Sequence, residues 1–359
     1  MKKILIWSAF ALILITNYQL QPTILEDTRH ISALGYDIED DHLVKATAAV
    51  PFFPPGENVS PINVTYTATG HTSKSVQQLF QTKAQKQLSL GRLNDVLYSK
   101  EAAEKGLFPL IHPFSRSPNI GRDIHLAVVD GKTEEMLKKK YPNTLLTAQY
   151  VTDLLDQGLK NIIPKTNLHS FLAQYYGNGQ DPFLPLLKLQ KENIKLKGLA
   201  LFKEDRYISS LSYEDSYLFK LLYENSRYGL YNIQLKDGTY VTIENVRSKV
   251  KYHIDGTKEK PAIKIDLSLL GQINDASGIT IQNTKKTKDI EKYWQQDMKQ
   301  KTEKVIKHLQ ELQVDSLGIG ERVRSKYRHF NMEGWKQSYP TVPIKINVEV
   351  KTMDTGIVE

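Results

Sequence analysis

Between about Thr287 and Leu312, the residues Ile290, Trp294, Met298, Val305, Leu309 and Leu312 recur at helical spacing and form one apolar stripe on an otherwise polar helix. A helix with a single such stripe needs a sheet to lie on. The flanking sequence supplies one. Ile263, Ile265, Leu267 and Leu269 alternate with polar residues, as do Ile344, Ile346, Val348 and Val350. Tyr231, Ile233 and Leu235 face Val241 and Ile243 across Asp237-Gly238, a strong hairpin signal. The carboxyl-terminal half therefore reads as largely antiparallel strands covered by helices.

The amino-terminal half repeats a strand, helix, strand grammar. Ile62 to Thr69 alternates as a half-buried strand, and Ser73 or Ser75 is placed to cap a helix bearing Val76, Leu79, Phe80 and Ala84. Leu93 to Tyr98 and Ile124 to Val129 read as further strands. Helices follow at Val151, Leu154, Leu155 and Leu159 and at Leu168, Phe171, Leu172 and Tyr175, separated by Pro164 and the capping-type Asn167. Gly177 to Pro182 is the clearest loop, Lys188 to Lys195 a charged connector, and the main boundary is expected near residue 195. Leu196 to Phe202 then forms a strand, Lys203-Glu204-Asp205 a turn, and Ser212 opens a helix with Glu214 and Asp215 in its first turn. The fold class expected is mixed α+β, with domains at 22–195 and 196–359 after a leading segment of residues 1–21.

That leading segment has Lys2 and Lys3 ahead of an apolar run from Ile4 to Ile15, broken only by Ser8. The run is shorter than the roughly 20 residues of an ordinary span, so it reads as a signal peptide or a short uncleaved anchor. Thr16-Asn17-Tyr18 offers no small-x-small cleavage site. The chain is thus expected to be exported. It contains no cysteine, which excludes disulfides, thiolate metal sites and cysteine nucleophiles. A net charge of +8 is spread over 359 residues with acidic residues interspersed. The basic runs at Lys138 to Lys140, Lys285-Lys286 and Arg322 to Arg328 read mainly as solvated faces.

Motifs that organise chemistry are missing from the sequence: no nucleophile elbow, phosphate loop, His-Glu-x-x-His or dinucleotide fingerprint. Leu317-Gly318-Ile319-Gly320 follows a helix rather than a strand and reads as a turn. The nine histidines are scattered. Asp37, Glu39, Asp40 and Asp41 could hold a cation or act as paired carboxylates, but without a calcium-loop pattern they read as a solvated turn between two strands. Asn58-Val59-Ser60 and Asn63-Val64-Thr65 match the glycosylation acceptor pattern. No catalytic, metal or cofactor-binding residue, and no cofactor, is assigned.

Several blocks resemble the Ger(x)C spore germination proteins, the C subunits of nutrient germinant receptors. They are Ala33-Leu34-Gly35-Tyr36-Asp37, Gly91-Arg92, Glu101 to Leu107, and Phe114-Ser115-Arg116-Ser117-Pro118. The most specific runs from Leu196 to Ile208 and on to Leu211 and Glu214, resembling that family's strand, charged turn and helix. Asp315 to Gly320, Trp335 and the strand up to Gly356 resemble its closing segment. The resemblance covers nearly the whole chain. It implies a non-catalytic ectodomain on the outer face of the spore inner membrane, working with two polytopic subunits, one of them transporter-like, and not with nucleic acid. One departure stands out: family members usually carry a lipobox cysteine directly after the apolar run, and here the stretch is Leu14 to Gln19, with Asn17 near the usual position. Thioether lipidation is impossible, so the apolar helix or the partners must hold the protein. In an exported protein Arg322, Arg324, Lys326 and Arg328 are then expected to contact anionic headgroups or an acidic partner face. The alternative is an exported small-ligand-binding protein with an interdomain cleft. An exported hydrolase using a carboxylate pair is a third reading that no spacing supports.

Overall fold

A computed structural model describes residues 28–353, apart from 41–42, 57–58, 143, 145 and 278–283, together with Lys3 and Trp7. The apolar run at Ile4 to Ile15, Asn17, Asp41 and Asn58 lie outside the described residues, save Trp7 within the run. Among the described residues no helix is long and apolar enough to cross a membrane.

The first part of the chain comprises β1 (Thr28–His30), β2 (Ala33–Asp40), β3 (Leu43–Phe52), β4 (Ile62–Gly70), α1 (Ser73–Gln81), β5 (Gln87–Ser89), β6 (Asp95–Ser99), α2 (Lys100–Lys105) and α3 (Phe108–Ser115). It continues through β7 (His125–Val129), α4 (Thr133–Lys138), α5 (Thr147–Asn161), α6 (Leu168–Gly177), β8 (Phe183–Leu189), β9 (Ile194–Lys203) and β10 (Arg206–Ser212). Eight of these strands form one sheet in the order β10-β9-β8-β7-β6-β2-β3-β4, while β1 pairs with β5. The ladders joining β2, β6, β7 and β8 are parallel and the outer ones antiparallel.

Helices cover both faces of this sheet. Leu34, Tyr36, Val96, Tyr98, Leu126 and Val128 pack with Val76 and Phe80 of α1, Ile111 and Phe114 of α3, and Phe171 of α6. On the other face Ala33, Leu97, Ala127 and Val129 meet Met136 and Leu137 of α4 and Val151 and Leu155 of α5. Parallel strands covered on both sides read as continuous apolar runs, and β6 is buried at every position.

The core on that second face continues through α7 (Tyr213–Tyr223), which is buried from Ser216 to Leu222, into a second sheet. This sheet orders β11 (Leu230–Gln234), β12 (Tyr240–Gly256), β13 (Pro261–Ala276) and β14 (Ile344–Thr352) side by side, antiparallel except for the parallel β13–β14 ladder. It is covered by α8 (Thr284–Glu311), followed by α9 (Ile319–Lys326) and α10 (Met332–Ser338). The expected stripe is the buried one: Ile290, Trp294, Met298, Val305 and Leu309 join Ile265, Leu267 and Val348 in one cluster. The mixed α+β class holds.

Local readings need four corrections. The cap of α1 is Thr72, whose hydroxyl accepts from the Ser75 amide while Ser75 returns a bond, because the chain turns one residue before the expected serine. Leu79 is 39 % exposed rather than core. Lys188 to Lys195 is not a connector but the end of β8, a short turn and the start of β9. After the Glu204-Asp205 turn the chain does not go straight to a helix; it returns as β10 against β9, and only then does Ser212 cap α7. The strand that follows residue 195 therefore adds to the first sheet, and the second sheet begins at Leu230.

Candidate functional site

Two arrangements unite residues that the sequence leaves far apart. The first is a cleft of about 720 Å³ between the end of α5, the start of α6 and the end of α7. Parallel pairing places Asp95, first residue of β6, beside His125, first residue of β7. The His125 Nδ1 lies 3.0 Å from Asp95 Oδ1, and Thr152 of α5 donates to Asp95 Oδ2 at 2.5 Å. The other ring nitrogen faces Asp156 at 3.4 Å. Burial pulls the imidazole pKa down, but the bond to Asp95 and the charges of Asp95, Asp156 and Asp123 outweigh it, so it stands above the usual value. Because the two carboxylates sit on opposite ring nitrogens, the three groups cannot converge on one ion, and among the described residues no metal-holding group forms. Both ring nitrogens thus face carboxylates.

Across the cleft Lys220 is buried, its Nζ donating to Leu159 O at 2.6 Å and Ile163 O at 2.9 Å and pairing with Glu224 at 2.9 Å. A cation here satisfies the free carbonyls at the end of α5. Burial lowers its pKa. Lys160 lies over the Tyr228 ring at 4.6 Å, and Lys165 and Arg227 also line the cleft. The lining carries both signs of charge.

The second arrangement joins the loop at Gly177 to Pro182 with the segment Asp315 to Gly320. Asp315 N donates to Asp181 Oδ2 at 2.7 Å, and Asp181 N donates to Asp315 O at 3.1 Å. Gln180 Nε2 donates to Ser316 O at 2.8 Å, and Glu321 N to Gly179 O at 3.0 Å. The Asp315 carboxylate accepts from Ile319 N, Gly320 N and Trp335 Nε1, at 2.9, 2.6 and 3.2 Å, and so caps α9. Gly318 takes the left-handed conformation, φ 67°, that this turn requires. Burial pushes the Asp315 carboxyl up to about 6, against those three donors and with help from Asp181. Asp181 is also raised by burial, Lys203 opposing it at 3.5 Å. Of the Gly-x-Gly expected to be a turn, Gly318 stands at the turn while Ile319 and Gly320 already open α9; the segment from Asp315 to Glu321 joins the end of the long helix to the loop before β8.

The basic segment does not form one free face. Arg322 stacks on Tyr252 at 4.1 Å, Arg324 is clamped by Glu321 at 2.5 and 2.9 Å, and Lys326 donates to Ile254 O. Arg328 is exposed. The acidic cluster also divides. Glu39 and Asp40 are exposed near the turn of β2 and β3, but Asp37 is only 2 % exposed and accepts from Thr133 N, Thr133 Oγ1 and Glu134 N at 2.8 to 2.9 Å. That corrects its reading as solvated: it caps α4 from the neighbouring strand. Asn63 is half-buried in β4, its amide donating to Leu137 O at 3.4 Å. The cleft residues were missed because His125, Asp95 and Lys220 share no sequence spacing; only the strand register brings the first two together.

Residues 21–189 match the model for the spore germination protein N-terminal domain, and residues 197–356 that for the spore germination B3/GerAC-like C-terminal domain. The chain belongs to this family, the C subunits of germinant receptors. The spore germination protein GerQC of Bacillus cereus is 28% identical over 341 residues, covering 94% of each chain. The putative spore germination protein YfkR of Bacillus subtilis (strain 168) is 21% identical over 311 residues, covering 80% of this chain and 78% of that protein. The crystal structure of the GerBC protein shares the fold, with a TM-score of 0.60 at 16% identity over 89% of this chain and 97% of that one. Family members of this kind act in receptor complexes at a membrane.

Proposed function

We propose that this chain is the non-catalytic, membrane-tethered subunit of a spore nutrient germinant receptor. It stands on the outer face of the spore inner membrane, held by the apolar run at Ile4 to Ile15, and assembles there with two polytopic membrane subunits. The observation that carries this reading is the family match at both ends of the chain, together with the joint at Asp181 and Asp315 that ties the two matched parts into one body. Its polar core groups act as structural connectors. Asp37, Asp315 and Lys220 are each spent on helix ends, and both ring nitrogens of His125 face carboxylates. The division proposed, 22–195 and 196–359, is supported by the separate matches over 21–189 and 197–356, although β9 and β10 belong to the first sheet. The segment Arg322, Arg324, Lys326 and Arg328 contacts an anionic headgroup layer or an acidic partner face, with Arg328 its freest charge. Isolation of the tagged chain from spore membranes tests the assembly. Two polytopic proteins should accompany it, and a chain recovered alone would remove the receptor reading.

The cleft beside His125 supports a second reading, capture of a small zwitterionic ligand between charges of both signs. Titration of the purified protein with amino acids and sugars tests it; no heat or fluorescence change at millimolar ligand would dismiss it.

A further inference from the structure

The hairpin joining β3 to β4 differs from the rest of the surface. Between Lys45 and Lys74 the sequence holds one formally charged residue, Glu57, in a stretch of 28 residues where the chain average of 25% would place about seven. At the end of this hairpin Phe53 is 68% exposed, Ile62 50% and Val59 49%. Pairing of Phe52 with Ile62 closes the ladder there, so these groups all lie at the end of one hairpin. Large apolar residues on a water-facing surface are ordinarily scattered singly, and a group of them close together marks a contact surface. Pro51, Pro54, Pro55 and Pro61 carry no amide hydrogen, so this backbone has fewer donors to leave unpaired when it leaves water than an ordinary loop has.

Its position indicates what covers it. The chain arrives from the apolar run at the same end of the sheet: Ser32 N donates to Ala49 O at 3.0 Å, and the Arg29 guanidinium lies 4.4 Å above the Phe52 ring. Twelve residues separate Ile15 from Thr28, and the thirteen steps between the two span at most about 45 Å. A bilayer holding the apolar run is therefore within reach of the hairpin. Arg29 beside the tip, with Arg92 close enough to His30 to depress its pKa alongside burial, adds cations of the kind that flank membrane-interface segments.

We propose that the tip of the β3–β4 hairpin, centred on Phe53, Pro54, Pro55, Val59 and Ile62, inserts into the interfacial layer of the bilayer that carries the amino-terminal tether. This rests on the reading of Ile4 to Ile15 as that tether. One flexible attachment leaves an ectodomain free to swing; a second contact fixes which face it turns to its membrane partners.

The absence of cysteine makes the test clean, since Phe53→Cys gives a single site for an environment-sensitive fluorophore. Glu192→Cys serves as control: β2, β6, β7 and β8 all start at the tether end, so the turn after Leu189 lies at the opposite end. The full chain is reconstituted into vesicles of phosphatidylcholine and phosphatidylglycerol containing nitroxide-labelled lipid, and flotation is scored on the same samples. The label at 53 should shift to shorter wavelength and be quenched by the nitroxide lipid, while the label at 192 shows neither change. A water-exposed label at 53 on protein that floats with the vesicles overturns the insertion and leaves the tether standing. Protein that does not float removes the tether, and the insertion with it. A label that is exposed in vesicles but shielded in isolated spore membranes assigns the tip to a protein partner and overturns the lipid contact.

Discussion

In the four-stranded sheet every second residue of β13 is buried from Pro261 to Ile273, whereas in the eight-stranded sheet β6 is buried at every residue from Asp95 to Ser99. The difference is one of cover. The smaller sheet has α7 and α8 on one face and water on the other, so its strands alternate. The larger has helices on both faces, so its central strands cannot carry charge unless the charge is consumed. Asp37 and Asp95 show how: Asp37 lies within β2 and Asp95 opens β6, and each is engaged by donors from a helix, α4 and α5 respectively. A sheet covered on one side depends on its single cover, and a sheet covered on both sides depends on close backbone packing and on satisfied polar groups.

The largest expected effect follows from that single cover. Trp294→Ala should cost about 3 to 5 kcal/mol, the usual size for truncating a buried large aromatic, read as a shift in the denaturant midpoint. Trp294→Phe should cost far less, because the buried Trp294 Nε1 has no partner to lose. An unchanged midpoint for the alanine variant would mean that α8 does not cover the sheet. In the two-sided sheet the matching weak point is a glycine. Gly198 on β9 has φ 153°, and a side chain there would run into the Leu211 carbonyl oxygen of β10. Gly198→Ala should destabilise by roughly 1 to 3 kcal/mol. Gly177→Ala, with open space around it, should stay within about 0.5 kcal/mol. Equal effects at the two glycines would contradict the close β9–β10 approach.

The joint between the two sheets should respond to pH. Asp315 has its folded pKa raised to about 6 by burial, above the 3.8 of a free carboxyl, so its contribution is fully present below pH 3.8 and is lost as pH rises through 6. His125, raised above 6.5 by Asp95 against the pull of burial, acts in the same direction. Asp130 and Glu134, held low chiefly by bonds from Lys197 and Lys138, oppose this only near and below about pH 4. Thermal melts should therefore show greater stability at pH 5.5 than at pH 8, with the Asp315 share over this range a little under about 1 kcal/mol and absent in Asp315→Asn. A melt that falls on acidification over this range would break the assignment.

The smallest effect belongs to the surface. Replacing Arg322, Arg324, Lys326 and Arg328 by Gln should shift the midpoint by less than about 0.5 kcal/mol per exposed pair. Arg322, stacked on Tyr252, should account for most of any change. Loss of salt-sensitive flotation on anionic vesicles in this variant would support a headgroup contact, and unchanged flotation would leave a partner face.

The same contrast explains what the sequence made legible. Alternation and the Asp237-Gly238 turn gave β11 to β14 and the stripe on α8 because one-sided cover writes itself into residue order. β2 was missed as an element of periodicity, and β10 was missed altogether. The run around Gly35 is buried on both faces, and Arg206 to Ser212 has too little apolar content to register as a strand. The loop after Gly177 and the turn at Gly318 are legible, whereas the helix that Ile319 and Gly320 open is not, and nothing in either segment says that they bind one another across more than 130 residues. His125 and Asp95 met only through strand register, which no local pattern encodes.

The central claim, that this chain is a required and non-catalytic part of a nutrient receptor, is tested most directly in spores whose only nutrient receptor includes it. Deleting the chain should abolish nutrient-triggered germination while leaving intact the response to a stimulus that acts downstream of receptors. Germination should return with the wild-type chain and also with His125→Gln, which removes the titrating imidazole of the cleft. Nutrient germination at the normal rate in the deletion strain would contradict the receptor role. Failure of a well-folded His125→Gln chain to restore it would contradict the non-catalytic one.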